Sequence, residues 1–271
     1  MSRTEEIVNW IKDYFKRTGF SKAVIGISGG KDSTICAALL AEALGIDNVY
    51  GVSMPFANNK ELDKPTKEVV DAGIIKNIVI LPIGKLIQLM EADLCNLGVV
   101  PTEQATINVQ PRQRMVRLMH YGQSLGGALA CCTSNLCERL VGYYTRGGDN
   151  FGDIAPLANL LVSEVHAVGD ELKIPHELVY RTPEDGLSGM TDEEKLGVTY
   201  NDIENCFNKF AMKGDSVDEV FPRIHIRAAQ ILNGEYQDRF TAEDRKVLRL
   251  FQAAYFKYLE SNPNAPCGVR A

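Results

Sequence analysis

The sequence predicts an α/β fold, a doubly wound parallel sheet with a helical C-terminal extension. Three observations predict it. Short apolar runs alternate with longer stretches of helical period through the first half of the chain. The first run ends in glycines that lead straight into an Ala/Leu-rich helix, and beyond Leu160 the chain reads helical apart from a polar loop over 181–190. No linker or repeat divides the chain, so residues 1–271 are expected to form one unit, with a core of about 1–210 and a helical extension of about 211–271.

In order along the chain, Ile7, Trp10, Ile11, Tyr14 and Phe15 fall on one face of a first helix over 4–18. Ala23 to Ile27 is a buried strand, Ser33 to Leu44 a helix closed by Gly45, and Val49 to Ser53 a second strand. A polar-faced helix over 61–72, a strand over 77–81 and a helix over 83–94 repeat the unit. Cys95 to Thr106 reads as a looser stretch before a helix over 109–121, in which Asn108 caps and Pro111 sits in the first turn. Ala128 to Cys132 is a fourth strand, with a fifth short one near Ile154. Helices follow over 162–172, from the Thr191/Glu194 capping-box spacing, and over 216–232 and 242–259.

Composition narrows the function classes. A net charge of −6, with no Lys/Arg run longer than two, argues against a phosphate-tracking nucleic-acid binder. The apolar stretches at 78–83 and 125–132 are far short of the ~18 residues a bilayer needs. The polar start Met1 to Glu6 carries no apolar signal core, and seven cysteines without a Cys-x-x-Cys pair read as reduced, mostly buried thiols, so a cytoplasmic protein without a zinc site is expected.

Three segments carry chemistry. Gly26 to Thr34 joins the first strand to a helix, where backbone N–H groups and the positive helix end make a phosphate site and two glycines permit close approach. The spacing is not that of a Walker A loop, and Asp32 within an anion loop needs a bridging cation such as magnesium. An ordinary tight turn with a helix cap is the plainer reading. Second, Arg112 follows Asn108 by four residues on one helix face, near a helix start where a nearby anion would offset its clash with the dipole; a solvated Arg pair is the alternative. Third, Thr133 and Glu138 follow the fourth strand and lead into a Gly-rich loop holding Asp149 and Asp153, which is ligand-binding material at a sheet edge or simply a solvated helix and loop.

The string Ser-Gly-Gly-x-Asp-Ser at 28–33 resembles the pyrophosphate loop of the ATP pyrophosphatases. Together with Asn108-x-x-x-Arg112-x-Arg114-Met115, Thr133-x-x-x-x-Glu138, Gly142 to Arg146 with Asp149 and Asp153-Ile-Ala-Pro, and Asp192-Glu193-x-x-Leu196-Gly197-x-x-Tyr200-x-x-Ile203, the chain over about 1–210 is similar to the ammonia-dependent NAD synthetases. That resemblance implies an adenine nucleotide alpha-hydrolase-like sheet and a carbon–nitrogen ligase that amidates nicotinic acid adenine dinucleotide. ATP, Mg²⁺ and ammonia would be used, and AMP and pyrophosphate released through an acyl-adenylate. It implies ATP binding by Gly26, Ser28, Gly29, Gly30, Lys31, Asp32, Ser33, Asn59 and Thr133, and metal ligation by Asp32 and Glu138. It further implies dinucleotide binding by Asn108, Arg112, Tyr143, Arg146, Asp149 and Asp153. Asp32, Glu138 and Lys31 are the expected catalytic groups, a homodimer is expected, and 271 residues filled by this pattern leave no room for an amidase domain, which points to ammonia as nitrogen donor.

Some positions depart from the family pattern. Leu161-Val162 stands where a Lys is usual, Pro183-Glu184-Asp185 where Pro-Ser/Thr-Ala is usual, and Ser53 where an Arg is usual. Lys31 inside the loop is expected to supply the missing charge. These departures keep open an adenylating amidoligase for another carboxylate, such as nicotinate mononucleotide, and a nucleotide-binding protein without catalysis. A tRNA-modifying enzyme is disfavoured by the acidic balance.

Overall fold

The computed structural model describes residues 1–57, 61–181, 191–212, 215–236 and 239–260. Asn59, Pro183, Glu184 and Asp185, on which four of the sequence expectations fall, lie outside them.

Helix α1 (Arg3–Thr18) begins at a Ser2/Glu5 capping box and ends at Gly19 in the left-handed region. Strand β1 (Ala23–Gly26) follows, then α2 (Lys31–Leu44), β2 (Val49–Ser53), α3 (Lys64–Asp71), β3 (Asn77–Ile80), α4 (Gly84–Asn96), α5 (Glu103–Ser124) and β4 (Leu129–Cys131). All pairings are parallel, and the sheet order is β3-β2-β1-β4. The chain therefore winds outward from β1 to β3 and crosses back to lay β4 on the other side of β1, which opens a crevice at the carboxyl ends of β1 and β4.

Alternation along the strands loads both faces. Ala23, Ile25, Val49 and Cys131 pack under α1, α2, α3 and the later helix α7 (Val162–Glu171), whereas Val24, Val52 and Ala130 pack under α4 and α5 through Ile83, Ile87 and Leu118. The predicted doubly wound sheet is therefore observed. Near Ile154 the expected fifth strand reduces to a single parallel bridge to Cys131.

The largest departure is at α5. Its first residue is Glu103 and its N-cap is Thr102, whose side chain accepts from Ala105 N–H, so the expected looser stretch is in part helix. Asn108 is thus not a cap and Pro111 is not in a first turn; both lie inside the helix, and Arg112 stands clear of its start. The Thr-Glu-Gln-Ala start outcompetes the later Asn, and Thr106 Oγ1 donating to Glu91 at 2.6 Å ties this first stretch to α4. Thr102→Ala is expected to cost about 1 kcal/mol, read as a lower urea midpoint with an unchanged slope.

The rest is helical: α6 (Leu136–Val141), α7, α8 (His176–Val179), α9 (Asp192–Leu196), α10 (Tyr200–Asn208), α11 (Val217–Leu232) and α12 (Ala242–Glu260). Helix α9 starts at the predicted Thr191/Glu194 box. A second core joins α6, α10, α11 and α12 through Leu136, Leu140, Phe207, Phe221 and Phe251. Leu161 and Val162 are buried in it, so the positions that depart from the family's usual Lys are packing positions here. Among the described residues no helix is long and apolar enough to cross a membrane.

Candidate active site

The loop after β1 is built by its own side chains. Gly29 takes φ +77° and lies so close to α3 that a Cβ would meet Pro65 Cβ at 2.4 Å and Thr66 N at 2.8 Å. Ser28 Oγ accepts from Gly30 N–H at 3.2 Å and lies 3.1 Å from Ser33 Oγ, which donates to the Gly30 carbonyl at 3.0 Å. Gly30 is the N-cap of α2, so Asp32 and Ser33 fall inside the helix rather than capping it.

Across the crevice, β4 is followed by Thr133 and then by α6, whose N-cap Asn135 accepts from Glu138 N–H at 3.1 Å. Asn135 Nδ2 faces Asp32 Oδ1 at 3.5 Å, and Lys31 Nζ donates to Asp32 Oδ2 at 2.8 Å. Lys31 is only 3% exposed. Its Nζ also lies 5.6 Å from the Tyr200 ring centre, and Tyr200 Oη donates to Asp192 at 3.0 Å. Burial pulls the Lys31 ammonium down, but Asp32, Glu138 and Asp192 outweigh it and the group ends above its ordinary value. Burial and the Asp32 charge push Glu138 well above the usual carboxylate range, with Lys31 opposing.

Three acidic side chains, Asp32, Glu138 and Asp192, act on one ammonium, an acidic excess that a hard cation would offset. No group of three metal-ligating side chains occurs among the described residues. The carboxylates of Asp32 and Glu138 are the kind of donor magnesium takes, one or two at a time, with water and phosphate oxygens filling its octahedron.

A second group forms where the 142–153 loop meets α5. Thr145 Oγ1 donates to Asn108 at 3.1 Å, Arg112 Nε to the Arg146 carbonyl at 3.1 Å, and Thr145 N–H to Asp149 at 2.7 Å. Gly148 is pressed on Pro111, where a Cβ would sit 3.0 Å from the backbone. Burial raises the Asp149 carboxyl, with Lys257 and Arg114 opposing. Tyr143 shares Asp192 with Tyr200, and its phenol is raised by burial and that carboxylate. Asp153 is set apart: its carboxylate accepts from Ala130 N–H at 2.8 Å, which fastens the loop to the sheet edge.

The family model for NAD synthase matches residues 3–237. The NH₃-dependent NAD⁺ synthetase of Pyrococcus furiosus is 34% identical over 224 residues, 82% of this chain and 84% of that one.

The chain belongs to the NAD synthase family.

On that ground it is a ligase of NAD biosynthesis that binds nucleotide. The fold agrees. The NMN synthetase of Francisella tularensis superposes with a TM-score of 0.71 at 24% identity over 94% of each chain, and the NH₃-dependent NAD synthetase of Campylobacter jejuni with 0.67 at 20% over 96% of each. Within this NAD synthase fold the site gathers residues that the expected set omitted. Asn135, Asp192 and Tyr200 complete the carboxylate cluster, and Arg114 Nε donates to the Met54 carbonyl at 3.1 Å beside Asp149. Lys257, from α12, donates to the carbonyls of Gly142 and Tyr144 and stands 4.3 Å from the Tyr144 ring. Asn135 is readable as an N-cap, and Asp192, Tyr200 and Arg114 fall inside recognised motifs. Lys257 has no local signal, because only the packing of α12 on α6 brings it there.

Two buried cysteines near the sheet, Cys36 and Cys132, are not poised as nucleophiles. Burial pushes the Cys132 thiol up to about 12 and Cys36 well above its usual value, which keeps both protonated and poorly nucleophilic.

Proposed function

We propose that the chain amidates nicotinic acid adenine dinucleotide to NAD with ATP, Mg²⁺ and ammonia, releasing AMP and pyrophosphate through an acyl-adenylate. The observation that carries this reading is the meeting of the Ser28–Ser33 loop with Asp32, Asn135 and Glu138 in the crevice between β1 and β4. Gly26, Ser28, Gly29, Gly30 and Ser33 would hold the triphosphate, with Asn59 and Thr133 on the rest of the nucleotide, and Asp32 and Glu138 would hold Mg²⁺, whose charge offsets that of the leaving pyrophosphate. Asn108, Arg112, Tyr143, Arg146, Asp149 and Asp153 would line the acceptor side; Arg112 and Arg146 provide cations for its phosphates, and the Asn108–Thr145 and Asp149–Thr145 bonds hold the loop shape. The substrate carboxylate attacks the α-phosphorus, pyrophosphate leaves, and ammonia then displaces AMP. Alignment of these partners supplies most of the rate.

Lys31 lies within the phosphate loop and is the expected substitute for the charge of the family's usual Lys, where this chain has Leu161-Val162. Lys31→Gln is expected to weaken ATP binding about tenfold, the scale of one charge-assisted hydrogen bond, as measured by calorimetry. Equal affinity would remove that role.

A homodimer is the proposed assembly. Leu89, Met90 and Leu94 on α4, Val100 in the following turn, and Val116 on α5 expose apolar surface that a second copy would cover. The chain is proposed to act as one unit, since α6 carries Glu138 into the crevice while Leu136 and Leu140 belong to the helical core.

The deciding experiment incubates the protein with ATP, Mg²⁺, ammonia and nicotinic acid adenine dinucleotide and identifies products. NAD with equimolar AMP is expected. ATP turnover only with nicotinate mononucleotide would reassign the acceptor, and nucleotide binding without pyrophosphate release would make the chain a binding protein.

A further inference from the structure

The Arg181 guanidinium bridges two elements of the phosphate site. One nitrogen donates to the Gly29 carbonyl and another pairs with Glu68 on α3. The side chain is 22% exposed, directly after α8 in the chain, and 152 residues from Gly29 in sequence.

We propose that Arg181 is a positioning residue for the phosphate loop, holding the Gly29 carbonyl turned away from the anion side and so keeping the Gly30 N–H on Ser28 Oγ within the loop, with Glu68 holding the guanidinium in place. This rests on the reading of the loop as an ATP site. A trans peptide is planar, so its carbonyl and amide point to opposite sides. With glycine on both sides of that bond, the peptide can flip at little steric cost. A flip would turn the carbonyl oxygen toward the anion and the N–H away, reversing the local dipole where negative charge must bind. In the observed orientation Gly29 O accepts from Arg181 while Gly30 N–H donates to Ser28 Oγ, a bond that a flip would break. A charge-assisted donor on the carbonyl opposes the flip. The contact of Gly29 with Pro65 and Thr66 constrains the position of the loop, but not the hydrogen-bond direction of the following peptide. Because Glu68 neutralises Arg181, the guanidinium serves as a structural donor rather than as a free cation for phosphate.

The test measures ATP and adenosine binding by calorimetry, with hydrogen exchange at the Gly30 amide, for the full chain and for Arg181→Ala, Arg181→Lys and Glu68→Gln. Arg181→Ala is expected to weaken ATP binding about 10- to 100-fold, leave adenosine binding unchanged and speed Gly30 exchange. Arg181→Lys, with a single nitrogen in place of the fork that spans the two acceptors, falls between, and it carries the test if the alanine variant does not fold. Glu68→Gln loosens the guanidinium and weakens ATP about threefold. Wild-type ATP affinity in Arg181→Ala, or in Arg181→Lys if that variant must stand in, overturns the proposal. Tighter ATP binding by Glu68→Gln overturns it as well, since Arg181 would then be a phosphate ligand held back by its partner. Failure of the unsubstituted chain to bind ATP would instead remove the reading of the loop itself, and this inference with it.

Discussion

Glu138→Gln is expected to lower the rate of pyrophosphate release by about 10²- to 10³-fold, the range for removing one preorganised electrostatic contact. It should also raise the melting temperature measured without divalent metal. Both effects come from one arrangement. Glu138 is partly buried near Asp32, and burial and that charge hold it well above its usual pKa, so its ionised form is disfavoured in the metal-free protein. A carboxyl whose pKa is raised on folding binds more protons folded than unfolded. Stability therefore falls as pH rises through the unfolded value near 4.3. Glutamine keeps the size and removes the charge, so the gain should be present at neutral pH and absent in acid. For a chain of this size class each kcal/mol recovered corresponds to roughly 2–4 °C. Activity and thermal melting on the same sample check both halves. A stable variant with full activity would remove Glu138 from the mechanism, and an active-site loss accompanied by a lower melting temperature would give it a structural role instead.

Gly29→Ala is expected to cost about 2–5 kcal/mol, combining about 1–2 for an L-residue at left-handed φ with about 1–3 for overpacking. The overlap is with Pro65 and with the backbone of Thr66, neither of which is the loose end of a flexible side chain. Relief requires moving the N-terminus of α3, and Glu68 one turn on is the partner of Arg181. Displacement would therefore spread to the phosphate loop itself, and ATP affinity should fall together with stability. Urea unfolding with parallel ATP titration reads both. A variant that unfolds within 1 kcal/mol of the parent would show that α3 shifts freely.

Much of this protein is legible in its sequence because the signals are local. The β1 run, the glycines after it and the α2 period lie within about twenty residues, and each obeys a short-range rule. Helix α5 differs from its local signal at its start. Two capping signals compete there, at Thr102 and Asn108, and a proline inside the helix made the later one attractive, whereas contact with α4 favours the earlier start. Leu161 and Val162 illustrate the reverse case. Against the family pattern they are lost binding positions, while in the fold they are buried residues of the helical core, and the α7 start takes protein carboxylates, with Leu161 N–H on Glu164 and Ser163 on Glu204.

The sequence by itself determined the parallel α/β architecture and the family, since hydrophobic period, chain order and the motifs after β1 and β4 carry these, and the resemblance implied a shared role for Asp32 and Glu138. Only the tertiary structure decided which groups surround that pair. Lys31 and Asp32 are neighbours in the chain, but Asn135, Asp192 and Tyr200 reach them from about 100 to 170 residues away, and Lys257 and Arg181 approach loops to which no local pattern links them. Side-chain contact across such separations depends on how helices pack on the sheet and on one another. That packing is fixed by the summed burial of two cores, which no short window of residues encodes.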